Sequence, residues 1–244
     1  MDEDELVVAG RETWVMSQAT TKEQAVPDPT RESAVRRDMR ASSATRIVVS
    51  TFGVLAGLAG IKHGVGEILQ GSVAPEGLLI QSWPDLEAME ILVGEPAMTV
   101  IPNLLVTGML AVIVALAVGV WSAGFAARRH GGLVLMLLSV LLLLVGGGFG
   151  PPLIGIIIGV GATRIGVASG RRPGAVSRAL GRVWPPILGA GVLGYMSLLP
   201  GIVLLDQLLG VENPVLVAGL AICSFAGLIL ALVAARAEDR VRAA

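Results

Sequence analysis

Arginine marks every second connection between the apolar segments of this chain. From Arg46 onward, the connections either carry arginines or contain no Lys or Arg at all. Loops with positive charge stay in the cytoplasm and translocated loops lack it, so the alternation predicts both the membrane crossings and their direction. The arginines in these connections, and after the last apolar segment, are Arg128, Arg129, Arg171, Arg172, Arg178, Arg182, Arg236, Arg240 and Arg242.

Composition agrees with a membrane protein and excludes several other classes. The chain is 54% hydrophobic and 15% charged, whereas a soluble domain carries about 25% charged residues. The net charge of −1 provides no basic surface for a nucleic-acid partner. The single cysteine, Cys223, excludes an internal disulfide and a cysteine-based metal site. We therefore expect no cofactor, no metal centre and no nucleic acid.

The apolar pattern predicts an all-α bundle of six transmembrane helices in a prokaryotic plasma membrane. Each apolar segment is near the roughly 20 residues that cross a bilayer. Residues 1–45 are polar and of mixed charge, which predicts a disordered cytoplasmic tail, and residues 237–244 form a short C-terminal tail on the same side. The predicted transmembrane domain, 46–236, contains spans at about 47–68, 99–122, 132–148, 151–168, 185–205 and 214–235.

The third and fourth spans are separated by a helix-breaking stretch, Gly146–Pro152. Four glycines and two prolines interrupt the apolar run there. Arginines flank the run at both ends, so both ends are predicted to be cytoplasmic and the chain must cross twice. The stretch is then an outer turn. The alternative is a re-entrant break that lines a water-filled cavity, as broken helices do in transporters.

The long outer loop, 69–98, contains acidic residues and no Lys or Arg. Ser82 resembles a helix N-cap, and Pro84 and Asp85 suit a first helical turn. Apolar residues then recur at helical spacing as far as Gly94. We therefore expect a short amphipathic helix that lies on the outer membrane surface or caps the bundle.

Three ionisable residues, Lys62, His63 and Glu67, fall inside the first span. Such residues are costly in a membrane, which makes them a functional hypothesis. His63 and Glu67 lie one helical turn apart, whereas Lys62 projects from the opposite face. We predict an ion- or solute-binding site, with proton handling or cation binding by His63 and Glu67 and with Asn103 at the same level. Alternatively, the span ends near Gly64, Glu67 is an interfacial acid and Lys62 reaches the headgroups.

A stripe of small residues runs along the same span. The stripe consists of Gly53, Gly57, Gly60 and Gly64. Glycines at this spacing let another helix approach closely, so the stripe is predicted to pack against a helix.

Three stretches resemble small, uncharacterised prokaryotic multi-pass membrane proteins, over roughly residues 50 to 165. They are 60–71 (GIKHGVGEILQG), 94–98 (GEPAM) and 146–152 (GGGFGPP). That group has no assigned activity, so the resemblance implies an architecture and transfers no functional residue.

Two functional classes remain open, and no catalytic residue is predicted. The first is a small transporter or channel-like protein with its polar site near the outer face. The second is a non-catalytic membrane subunit or scaffold whose glycine-lined first span packs against a membrane partner or a second copy, besides the lipid bilayer itself. An intramembrane enzyme ranks third, because the metalloprotease pattern His-Glu-x-x-His and the serine-hydrolase pattern Gly-x-Ser-x-Gly are both absent.

Overall fold

The computed structural model describes residues 43–166, 173–210 and 213–244. The predicted N-terminal tail, up to residue 42, and the arginines at 171 and 172 therefore lie outside the described residues. Helices dominate the described part and follow the predicted apolar segments. They are α1 (Ala44–Gln70), α2 (Leu104–Gly124), α3 (Gly131–Leu144), α4 (Gly150–Ala162), α5 (Ala175–Arg182), α6 (Trp184–Met196), α7 (Ile202–Leu209) and α8 (Pro214–Arg242).

Three of the described helices are long and apolar enough to cross a membrane. They are α1, α2 and the segment Val215–Arg242 of α8. Helices α3 and α4 have 14 and 13 residues, so each is about 20 Å long and shorter than the roughly 30 Å hydrocarbon core. The prediction of a helical membrane protein is thus confirmed at the level of helix type, length and polarity.

Polar side chains define where the long helices begin. Ser43, Asn103 and Asn213 each accept hydrogen bonds from backbone N–H groups in the first turn of α1, α2 and α8. These N–H groups have no partner within the helix, which is why short polar side chains are favoured at this position. The two prolines of α4 stand in its first turn, where a missing N–H has no cost.

The glycine stripe of α1 packs against α2 of the same chain. A Cβ on Gly57 would lie 2.8 Å from the carbonyl oxygen of Ala115, and one on Gly64 would lie 2.7 Å from that of Gly108. The contacts run in opposite order along the two helices, so α1 and α2 are antiparallel. The predicted close packing is therefore present, and its partner is a neighbouring helix of the chain.

Helices α3 and α4 form a hairpin that packs against α1. The side chain of Ile158 in α4 lies beside Gly53, and that of Leu142 in α3 lies beside Gly60. The connection 145–149 returns the chain between the two helices at the level of His63 and Glu67. The predicted interruption at Gly146–Pro152 is therefore a turn between two antiparallel helices.

The N-terminus of α1 and the C-terminal part of α8 meet at one end of the molecule. The carboxylate of Asp239, near the end of α8, accepts hydrogen bonds from Ser43 Oγ (2.6 Å) and from the backbone N–H groups of Ala44 (2.7 Å) and Thr45 (3.1 Å). A carboxylate at a helix N-terminus also complements the helix dipole. The basic helix α5 packs on α8 at this same end, where Gly181 contacts Glu238.

The opposite end carries a small sheet that the sequence did not predict. Strands β1 (Leu79–Gln81) and β2 (Pro96–Met98) pair antiparallel, with Ile80 opposite Ala97. Between them, Glu87–Leu92 is a 3₁₀ helix and not an amphipathic α-helix that begins at Ser82. The difference arises because the backbone N–H of Ser82 donates to the carbonyl of Glu95 (3.1 Å), extending the strand pair past the expected helix start.

Two predicted spans also begin or continue differently. Helix α2 starts at Leu104 instead of 99, because Thr99 forms a bridge with Val145 and belongs to the end of the fold that carries the sheet. The predicted span 185–205 corresponds to α6 and α7, joined by a π-helical segment, Ser197–Gly201, that contains Pro200. Proline removes one backbone hydrogen bond of a helix, which accounts for the local widening there.

Candidate functional site

The two predicted site residues of α1 are both buried near its C-terminal end. His63 is 6% exposed and Glu67 is 0% exposed. The helix continues to Gln70 and ends at Gly71, which has a positive φ of 82°. Helix α1 therefore runs past Gly64 and holds Glu67 inside the fold. Burial of an acid and an imidazole one turn apart requires polar partners from other elements.

Ser82 supplies the link between the two side chains. Its hydroxyl lies 2.8 Å from His63 Nδ1 and 3.4 Å from Glu67 Oε1, and Ser82 is itself fully buried. The serine therefore stands between an imidazole and a carboxylate as the middle member of a hydrogen-bonded chain. The second distance is long for a hydroxyl–carboxylate bond.

Glu95 supplies the second carboxylate. Its Oε1 forms an ion pair with Lys62, and its Oε2 lies 3.8 Å from His63 Nε2. Glu95 is 5% exposed, and the side chain of Lys62 is 29% exposed. Lys62 was predicted to point away from the site. It is instead joined to the cluster by the loop residue Glu95, which covers that side of the helix.

The backbone that carries Glu95 is strained. Val93, Gly94 and Glu95 have φ angles of 56°, 64° and 53°. Residues other than glycine rarely adopt this left-handed conformation, and each costs about 1–2 kcal/mol. Such strain persists only where the surrounding structure enforces it, and it is common at functional sites. Here it turns the Glu95 carboxylate inward toward His63.

The glycine turn between α3 and α4 covers the cluster from the other side. A Cβ on Gly148 would meet the ring of His63, and a Cβ on Gly146 would meet the carboxylate of Glu67. The turn is held by backbone hydrogen bonds from Gly146 N to Met98 O (2.9 Å) and from Val100 N to Leu144 O (3.1 Å). Only hydrogen atoms on these Cα positions allow the turn to approach so closely.

Three buried oxygen atoms near this cluster have no hydrogen-bond partner among the described residues. They are Glu67 Oε2, Glu95 Oε2 and the hydroxyl of Tyr195. An unsatisfied buried polar group costs about 1–3 kcal/mol, so its presence in a folded protein calls for an explanation. A bound donor or a moving proton would satisfy the two carboxylate oxygens.

A cavity of about 240 Å³ opens beside His63 and Glu95. Tyr195 of α6 also lines it and is 5% exposed. Its remaining walls are mostly apolar or aromatic and come from helices α1, α4 and α8, the π-helical segment, the α3–α4 turn and the 69–98 loop. These residues are Ala59, Leu92, Pro96, Phe149, Gly150, Pro151, Ile154, Leu198 and Phe225. The imidazole and the carboxylate thus connect the buried chain of polar groups to a space large enough for a small molecule.

The third predicted site residue, Asn103, has contacts of its own. Its Oδ1 accepts from Val106 N (3.1 Å) and its Nδ2 donates to Ser72 (2.8 Å). Among the described residues, neither bond joins it to His63 or Glu67, and it acts as the N-cap of α2. The side chains that contact His63 and Glu67 are instead those of Ser82 and Glu95, which both belong to the 69–98 loop.

The described residues contain no grouping of three His, Cys, Asp or Glu side chains that could hold a metal ion. Comparison of the chain with protein-family models, with curated proteins and with solved structures gives no match. The site must therefore be interpreted from its own geometry.

Proposed function

We propose that the chain crosses a prokaryotic plasma membrane with α1, α2, the continuous stretch α6–α7 and α8, and that both termini lie in the cytoplasm. Helix α1 runs antiparallel to α2, and α6 runs antiparallel to α8, which supports an even number of crossings. Asp239, near the end of α8, contacts Ser43 at the start of α1. The end of α2, which precedes Arg128 and Arg129, lies near the same end, because Ser50 Oγ donates to the carbonyl of Ser122. The positive-inside rule makes that end cytoplasmic.

The α3–α4 hairpin is then a re-entrant element rather than two full crossings. Each of its helices is about 10 Å shorter than the hydrocarbon core, and its turn contacts His63 and Glu67 below the outer end of α1. This supports the alternative in which Gly146–Pro152 is a break inside the membrane. Non-helical backbone at such depth is tolerated where it is buried in protein and lines a cavity.

Single cysteines test this topology in a Cys223→Ala background. We expect Glu87→Cys to react with a membrane-impermeant maleimide added outside intact cells, because Glu87 lies in the outer loop and is exposed. Arg129→Cys, also exposed, is expected to react only after the membrane is opened. Arg178→Cys serves as the control for the inner side. Labelling of positions 87 and 129 from the same side would contradict the topology.

We further propose that the protein is a small proton-coupled transporter whose proton site is the chain His63–Ser82–Glu67. The observation that carries this is the buried hydrogen-bonded path from a cavity to a buried acid. Ionisable groups inside membrane-spanning segments are typical of proton relays in pumps and transporters. Histidine has two ring nitrogens that can accept on one side and donate on the other, so it suits a step in such a path.

Proton transfer along this chain needs no other group. With Glu67 ionised, Ser82 donates to Glu67, and His63 Nδ1–H donates to Ser82. A proton from the cavity bonds to His63 Nε2, the Nδ1 proton passes to the Ser82 oxygen, and the Ser82 proton passes to Glu67. The result is a neutral Glu67, a Ser82 that donates to Nδ1, and an Nε2–H that faces Glu95. One proton has moved from the cavity to Glu67.

The second functional class has less support. A subunit that binds a partner through the glycine stripe of α1 requires that face to be free, whereas α2 covers it. The composition of the cluster also favours proton handling, because two carboxyl groups, an imidazole and a lysine lie together.

Proton uptake into liposomes tests the proposed transporter. The purified full-length protein is reconstituted with a trapped pH-sensitive dye, and a potassium diffusion potential drives protons inward. We expect uptake by the wild type and its loss in Glu67→Gln. Ser82→Ala is expected to reduce the rate by roughly 100-fold, because a positioned proton-transfer group contributes about that much.

Ser139→Ala is the matched control for the serine variant. Ser139 is fully buried, but its hydroxyl donates only to the Leu135 carbonyl of its own helix (2.7 Å). The Ser139→Ala variant should take up protons at the wild-type rate. Wild-type rates in correctly folded Glu67→Gln and Ser82→Ala would overturn the relay, as would a wild type that moves no protons.

A further inference from the structure

We infer that the cavity beside His63 and Glu95 binds a small organic ammonium ion with an apolar alkyl or aryl body. Its ammonium group would donate to Glu95 Oε2 and to His63 Nε2. This deepens the proposed function, since it names the class of solute that reaches the proton relay. Binding to the cavity and transport across the membrane are separate measurements, so each can fail alone.

Two facing acceptors determine the chemistry of the ligand. In the state that has an ionised Glu67, His63 uses Nδ1–H to donate to Ser82, so its Nε2 carries a lone pair. Glu95 Oε2 lies 3.8 Å from that nitrogen and has no partner among the described residues. Two acceptors this close repel each other unless a donor joins both. An ammonium group carries several N–H donors and a charge that complements the carboxylate.

The ion pair with Lys62 leaves this role open. Lys62 contacts Oε1 of Glu95, whereas Oε2 has no hydrogen-bond partner among the described residues, and Glu95 is one of the residues that line the cavity. A carboxylate has about four lone-pair sites and accepts from two cations at once. The same carboxylate disfavours an anionic ligand, which would lie against it in a largely apolar cavity.

The walls of the cavity suit an apolar cation rather than a metal ion. Phe149, Tyr195 and Phe225 line it, and aromatic faces attract ammonium groups electrostatically. A hard cation such as Ca²⁺ needs six to eight oxygen ligands, which these apolar walls do not provide. The unpartnered hydroxyl of Tyr195 offers one more polar contact.

The cavity volume restricts the ligand to small molecules. At about 240 Å³, it lies below the range of about 300–1,000 Å³ that is common for drug-sized ligands. A phenylethyl or short alkyl group with one amine is of the right class. A ligand with two charged ends does not fit. Glu95 and His63 lie at one place in the wall, and a second charge would face mostly apolar walls.

Calorimetric titration of the purified full-length protein in detergent tests the inference with three probes of matched shape. We expect saturable 2-phenylethylammonium binding at least tenfold tighter than binding of 2-phenylethanol. We expect no binding of 3-phenylpropionate. Equal affinity for the ammonium and the alcohol, or tighter binding of the carboxylate, would overturn the inference. These comparisons use only the wild type, so they do not depend on whether a variant folds.

Variants locate the site. Glu95→Gln is expected to weaken 2-phenylethylammonium binding by roughly 10- to 100-fold, as loss of a charge-assisted hydrogen bond does. Glu90→Gln, an exposed acid in the same loop, should bind as the wild type does. Unchanged affinity in a folded Glu95→Gln would overturn the assignment. Ammonium binding without proton uptake in liposomes would support this inference and contradict the transporter, and the reverse result would contradict this inference alone.

Discussion

Replacement of Gly148 by alanine is expected to destabilise the protein strongly. Gly148 has a φ of 74°, and its new Cβ would meet the ring of His63. The left-handed conformation costs about 1–2 kcal/mol for a residue with a Cβ, and overpacking of a buried contact costs about 1–3 kcal/mol. Together they lower the free energy of unfolding by about 2–5 kcal/mol, or roughly 10 °C in Tm for a chain of this length.

The same substitution should also stop proton uptake, because the imidazole cannot keep its place. If His63 moves away from the new methyl group, its Nδ1 leaves Ser82 and the relay is interrupted. The measurement is thermal unfolding in detergent, followed by the liposome assay at a temperature where the variant is folded. A Gly148→Ala protein with wild-type stability and wild-type uptake would show that the turn does not cover His63 as described.

Two other glycines separate backbone strain from steric contact. Gly71 has a φ of 82° with open space around its Cβ position, whereas Gly150 has open space and no positive φ. Gly71→Ala should therefore lose about 1–2 kcal/mol, and Gly150→Ala should lose little. Gly71→Ala should also leave proton uptake unchanged, because Gly71 lies outside the cavity and the relay. If Gly71→Ala were as unstable as Gly148→Ala, strain alone would explain the effect and the contact with His63 would not.

The parts of the site that lie on one helix could be predicted from the sequence, because helical geometry relates residues one turn apart. His63 and Glu67 are such a pair, and their burial follows from the apolar residues around them. The glycine stripe likewise predicts close packing, although periodicity does not identify the helix that packs there. Helix α2 of the same chain packs there because the 69–98 loop returns the chain to α1.

The residues that complete the site come from loops, where no periodicity guides prediction. The sequence predicts Ser82 as a helix cap, because a serine shortly before proline and aspartate commonly is one. In the structure its hydroxyl forms hydrogen bonds with two buried side chains of α1, His63 and Glu67. These bonds stabilise the fold more than a cap on a short exposed helix would. In the sequence, Glu95 is one of several acids of the 69–98 loop, and nothing in the pattern sets it apart. Its inward direction depends on three consecutive left-handed residues, a conformation that local sequence does not predict for Val93 or Glu95.

The two loop elements act on the relay from opposite sides. The strained segment at Val93–Glu95 holds a carboxylate near His63 Nε2, and the glycine turn fills the space around the ring and around Glu67. A proton path requires its members to keep hydrogen-bond distances, so close packing of the backbone around it serves positioning. The backbone strain of the Val93–Glu95 segment is therefore the energetic cost of orienting the Glu95 carboxylate toward His63.

The second large effect is expected at the crossing of α1 and α2. A Cβ on Gly108 would meet the carbonyl oxygen of Gly64 and would lie 2.8 Å from the backbone nitrogen of Ile68. Both contacts are with backbone, which cannot rotate away as a side chain does. Gly108→Ala should therefore force the two helices apart and lower the free energy of unfolding by about 2–3 kcal/mol. Because Ile68 adjoins Glu67, proton uptake should fall as well.

Gly119→Ala is the matched control on the same helix. Gly119 also lies in α2, but a Cβ there meets nothing within 4 Å. Alanine is the better helix former by about 0.8–1 kcal/mol in aqueous hosts, so this variant should be as stable as the wild type or more so. The comparison uses thermal unfolding of both variants in one detergent. Equal stability would mean that α1 and α2 do not pack through their glycines, and the buried position of Glu67 would then lose its structural basis.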